Sequence, residues 1–109
     1  MALLLGHLVG DYIFQTDWMA TRKKQQSLPC LLHCLLYALA VWLFTGWPAW
    51  ALGVVVASHF VVDRTGLVLA FMRVTDHGRF AAPPLGPWSV ILTDNIFHLL
   101  VLYGLAFRV

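Results

Sequence analysis

Of 109 residues, 61% are apolar and only 11% charged, against roughly 25% charged in an ordinary soluble domain. A soluble fold of this length needs a polar shell because small folds keep much of their surface exposed, so the composition excludes that class and predicts an integral membrane protein. A net charge of +2, with no basic residues interleaved along an exposed face, gives no footing for nucleic acid.

The length allows a single domain, 1–109, and no linker, charge block or low-complexity tract divides it. The opening run MALLLGHLVGDYIF lacks a basic leader, carries His7 and Asp11 inside its apolar stretch and runs into Trp18. It therefore reads as a retained first helix and not a secretory signal. Apolar stretches in chain order predict an all-α, four-helix membrane bundle, with helices at about 2–20, 28–46, 49–72 and 87–107, each near the roughly 20 residues that cross a bilayer. The first break, TRKKQQSLP, combines basic residues with Pro29 near the next helix start, where proline is tolerated. The second, TGWPAW, is a tight hairpin whose Trp47 and Trp50 suit an interfacial aromatic belt. The third, RVTDHGRFAAPPLGP, is the longest and most irregular.

Arg22, Lys23 and Lys24 lie in the first loop and Arg73 and Arg79 in the third, while the second has no basic residue. The positive-inside rule then places loops at about 21–27 and 73–86 in the cytoplasm and both termini outside. Asp17 is expected to pair with Arg22 or Lys23 at the interface. Gly6 and Gly10 form a small-xxx-small pair suited to a close helix contact. Cys30 and Cys34 read as soft apolar fillers, with no disulfide framework, and Asp76 and His77 as loop residues without a site.

Helix one carries His7 and Asp11, helix three His59 and Asp63, helix four Asp94 and His98, each pair at i, i+4 and so on one helical face. The order inverts with chain direction, so the aspartates share one depth and the histidines another. Counting 1.5 Å per residue puts the aspartates roughly 10–14 Å and the histidines roughly 16–20 Å from the cytoplasmic helix ends, with His33 and Gln15 at roughly 7–8 Å. One such pair is most simply a packing device between helices. Three at matched depth, at about 2.5–3.5 kcal/mol per central aspartate facing lipid, point to a site. Imidazoles with carboxylates are ligands for zinc, iron or manganese, and the same residue types make proton relays.

The segments HLVGDYIFQTDWMATRKK, LLHCLLY, SHFVVDRTG and LTDNIFHLL, spanning nearly the whole chain, resemble an uncharacterised bacterial and phage family of small membrane proteins, a domain of unknown function. The family pattern falls on His7, Asp11, Gln15, Asp17, His33, His59, Asp63, Asp94 and His98. More distantly, the chain is similar to inner-membrane metal-dependent hydrolases. Two departures stand out: Asn95 replaces the usual glutamine, and a lysine expected after Asp63 is missing, with Arg64 as its stand-in.

The leading expectation is a divalent metal held by His7, Asp11, His59, Asp63, Asp94 and His98, with Asp11, Asp63 and Asp94 serving catalysis and Gln15, His33, Asn95 and Arg64 binding substrate. The ion would activate water for hydrolysis of a lipid or lipid-linked substrate. The alternatives are an oligomeric proton or divalent-cation transporter or channel subunit and a haem- or chlorin-binding accessory subunit. Membrane lipid and a homo-oligomer or larger membrane complex are the expected partners.

Overall fold

The computed structural model describes residues 1–109 and is all-α. Helix α1 (Ala2–Leu8) runs into a π turn (Val9–Ile13), which Phe14 closes by donating its N–H to the Val9 carbonyl at 2.9 Å. Such wide turns push one residue out of the helical register and are frequent at functional sites; this one contains Asp11. The Thr16 hydroxyl then caps α2 (Asp17–Arg22), accepting from the Met19 N–H. The helix expected at about 2–20 is thus two pieces, interrupted where the π turn and the Thr16 cap impose their own backbone geometry.

Helix α3 (Ser27–Thr45) tolerates Pro29 in its first turn, whose N–H groups have no helical partner. It stops at Gly46, whose φ of 65° is the left-handed cap that glycine adopts without cost. Helix α4 (Ala49–Arg64) ends where Thr65 turns extended, its hydroxyl bonded back to the Val61 carbonyl. After Gly66, α5 (Leu67–Val74) leaves at 69° to α4, so the span expected at 49–72 is sharply bent. A short α6 (Gly78–Ala81) lies inside the third loop, and α7 (Trp88–Ala106) follows. By length and composition α3 and α7 can each cross a membrane, or three spans can if α4 and α5 count as one, whereas Ala2–Ile13 is shorter.

The α1–α3 contact is close. A Cβ on Gly6 would lie 3.1 Å from the Val41 Cα, and one on Gly10 2.6 Å from Tyr37 Cδ2, so the two glycines let the backbones meet as their spacing suggested. Around that contact the core gathers Tyr37, Val41, Trp47, Ala51, Val55 and Leu102. Trp47, expected at the interface, is buried instead, because the Gly46 cap folds the hairpin back onto α3; Trp50 is exposed. Cys30 and Cys34 are buried free thiols. Outward faces are apolar, with Leu31, Leu35, Leu39 and Leu43 on α3 and Leu92, Ile96, Leu100 and Tyr103 on α7 all exposed.

Candidate metal centre

The polar residues of α1, α3, α4 and α7 converge in one knot. His33 Nε2 and His59 Nε2 are 2.9 Å apart. Asp11 Oδ1 lies 3.2 Å from each of them, and Asp63 Oδ2 lies 3.2 and 3.3 Å from the same two atoms. Donors at about 2.0–2.2 Å from one tetrahedral ion lie about 3.3–3.6 Å from one another; the separations here run from 3.3 Å down to 2.9 Å, at or slightly inside that edge length. All four side chains are buried, His33 and Asp63 completely.

Hydrogen bonding alone satisfies this knot poorly. Asp11 Oδ1 has no aligned donor, and the Nδ1 atoms of His33 and His59 have no partner. Buried polar atoms are rarely left so; a cation held by the two Nε2 atoms would engage Asp11 Oδ1, the one orphaned atom that faces both of them. The residues present therefore fit a divalent ion, with nitrogen and oxygen donors of the kind zinc, iron and manganese take.

A second set adjoins the first. His98 Nε2 is 3.0 Å from Asp63 Oδ1 and 3.2 Å from Asp94 Oδ2, and the His98 ring stacks on His59 with centroids 3.8 Å apart. Asp63, Asp94 and His98 form one compact donor group, His33, His59 and Asp63 another, and Asp11, His59 and His98 a third.

Two placements depart from the sequence-derived picture. His33, counted to the cytoplasmic edge with the substrate-binding residues, stands beside His59 among the donors: a count along the axis omits helix tilt and the reach of an imidazole. His7 stands outside the knot. Its Nε2 donates to Asn95 Oδ1 at 2.6 Å, which leaves its Nδ1 to accept from the Tyr37 hydroxyl at 2.8 Å. Asn95 completes that arrangement by donating to the Tyr12 hydroxyl and the Ile91 carbonyl. The His7–Asp11 pair keeps only a 3.4 Å approach.

The basic residues of the first loop do more than their number suggested. Lys23, expected to pair with Asp17, instead donates to Asp63 Oδ2 at 2.6 Å. Burial works against its charge, but Asp63 outweighs burial and raises the Lys23 pKa above the ordinary lysine range. Lys24 donates to the Asp63 carbonyl at 3.2 Å, satisfying one of the last open carbonyls of α4. Arg64 donates to the Lys24 and Gln25 carbonyls and is spent in clasping the loop to the end of α4. Nothing in the sequence singled out Lys23 beyond its basic neighbours.

Two cavities adjoin the knot. One, of about 250 Å³, is bordered by Asp11, Gln15, Lys23, Asp94 and Asn95, so that Gln15 and Asn95 of the expected substrate-binding residues reach it. The other, of about 180 Å³, sits at the α4–α5 bend and is lined by Lys23, Lys24 and Asp94 together with Val68, Leu69, Val90 and Ile91. The family described as "Protein of unknown function (DUF3307)" matches residues 1–107. The chain belongs to this family. No curated protein and no solved structure matches the chain. The family's description assigns no reaction.

Proposed function

We propose that this member of the DUF3307 family is a polytopic inner-membrane protein that holds a divalent metal in its His/Asp knot and uses it to hydrolyse a lipid or lipid-linked substrate. The observation that carries the metal is the convergence of His33, His59, Asp11 and Asp63 at 2.9–3.3 Å. Helices α3 and α7, nineteen residues each, are about 28 Å long, close to the roughly 30 Å hydrocarbon core. In this reading α1 with α2, and α4 with α5, cross as interrupted spans, giving four. Non-helical backbone at membrane depth is tolerated where it is buried or lines a cavity, and Thr65 and Gly66 border the 180 Å³ cavity. The clasp of Arg64 to the first loop favours a common side for that loop and the end of α4, in line with a cytoplasmic location for both basic loops.

The ion would supply a water made acidic by coordination and a centre of positive charge for a phosphoryl or carbonyl oxygen. The chain's own residues do the rest. Asp11, His33, His59 and Asp63 bind the ion, Lys23 orients Asp63, and Gln15 and Asp94 border the approach from the larger cavity. The mixed cavity at the α4–α5 bend suits an amphiphile, with lysines for an anionic head and Val68, Leu69, Val90 and Ile91 along a chain. A macrocycle fits less well, because stacked imidazoles and carboxylates fill the space it would need. Transport would require a homo-oligomer or larger membrane complex, since four short helices make a thin wall for a pore.

Elemental analysis of the purified protein tests the reading. Zinc, iron or manganese at one or more equivalents, lost on Asp63→Ala in a variant that stays helical, is the expected result. A folded protein that hydrolyses lipid-linked esters without metal would sink it, and ion flux in proteoliposomes would move the assignment to transport.

A further inference from the structure

One donor set is His33 Nε2, His59 Nε2 and Asp63 Oδ2, a compact group with Asp11 Oδ1 3.2 Å from both imidazole nitrogens. A second compact group is His98 Nε2, Asp63 Oδ1 and Asp94 Oδ2, within 3.0–3.2 Å along its two contacts. Asp63 belongs to both sets through different oxygens: Oδ2 faces His33 and His59, Oδ1 faces His98. A carboxylate with one oxygen toward each of two donor sets is arranged as a bridge, and two-metal hydrolytic centres hold their ions about 3.5–4 Å apart.

Resting on the metal reading above, we propose that the knot is a two-metal centre bridged by Asp63, with one closed and one open site. The closed site has four protein donors, the number typical of a structural ion. The open site has three, His98, Asp94 and Asp63, the number typical of a catalytic ion that keeps a position for water or substrate. Its placement agrees in part: Asp94 borders both cavities next to the knot, whereas of the closed-site residues only Asp11 borders one of them. Lys23 is compatible with the bridge, since each carboxylate oxygen carries two lone pairs and Oδ2 can accept from Lys23 and still coordinate. An independent mark of the closed site is Asp11 Oδ1, buried, unpartnered and aimed at the two imidazoles.

The full chain, purified in detergent, stripped with chelator and loaded with Mn(II), separates the possibilities by metal count after desalting and by electron paramagnetic resonance. Two ions per chain with an exchange-coupled spectrum are expected. Asp94→Asn, whose side chain is partly exposed, should fall to one ion with the six-line spectrum of isolated Mn(II), and Asp63→Asn should abolish the coupled signal. One isolated ion per wild-type chain, or two uncoupled ions, overturns the bridge while leaving the metal reading intact. No bound ion overturns both. Should Asp94→Asn fail to fold, the wild-type count and spectrum decide alone.

Discussion

Replacing Gly10 by alanine adds one methyl where the structure has no room for it. The new Cβ would stand 2.6 Å from Tyr37 Cδ2, 3.2 Å from Cγ and 3.1 Å from the Tyr37 Cα, against ordinary carbon contacts of about 3.5–4.0 Å. The ring cannot simply swing aside. It is buried, its hydroxyl is tied to His7, and its face lies 3.9 Å from the His59 ring. Because the backbone contact is also tight, α1 and α3 must part, which places the cost toward the upper end of the about 1–3 kcal/mol typical of overpacking. The control is Gly53→Ala in α4, where a Cβ meets nothing within 4 Å and the better helix former should be neutral or stabilising by about 0.5–1 kcal/mol. Unfolding in mixed micelles, followed by circular dichroism, measures both. Parting α1 from α3 also draws Asp11 away from His33, so Gly10→Ala should weaken metal binding as well. If Gly10→Ala is as stable as the wild type, or less damaging than Gly53→Ala, the close α1–α3 contact is not as described.

Three further outcomes check other parts of the argument. His7→Ala should keep the wild-type metal count, because both ring nitrogens are engaged by Tyr37 and Asn95, with affinity lowered by about 10–100-fold, as for outer-shell partners; loss of the ion would return His7 to the ligands. For the Lys23–Asp63 pair, a folded lysine pKa above the unfolded value of about 10.4 means that the stabilisation is complete below that pH and is lost as pH rises through the folded value. Lys23→Met should therefore destabilise the metal-free protein at pH 7 by about 1.5–3 kcal/mol, the worth of one hydrogen bond to a charged group, since Asp63 keeps its histidine contacts, and flatten its alkaline unfolding; an unchanged alkaline midpoint would count against the pair. For topology, Gln25→Cys in the first loop should react with an impermeant maleimide only from the cytoplasmic side of vesicles and Trp50→Cys only from the other, the native thiols being buried; labelling of both from one side would refute the orientation.

Composition and apolar run length were enough to find α3 and α7 within a residue or two, because a 19-residue apolar helix ending at Gly46 or following Pro87 is specified locally. The i, i+4 spacing likewise identified Asp11, His59, Asp63, Asp94 and His98 as residues of one polar knot, since helical period alone brings such pairs to a common face. What no periodicity contains is how helices tilt, break and turn about their axes. The π turn at Asp11 and the 69° bend after Arg64 reset the register of two predicted spans. The packing of α3 on α4 brought His33 to His59, and the Tyr37 and Asn95 side chains engage His7 outside the knot. Lys23 reached Asp63 across forty positions of chain, a contact that only packing could make. Sequence fixes which faces are polar; the docking of those faces decides which atoms come within reach of one ion.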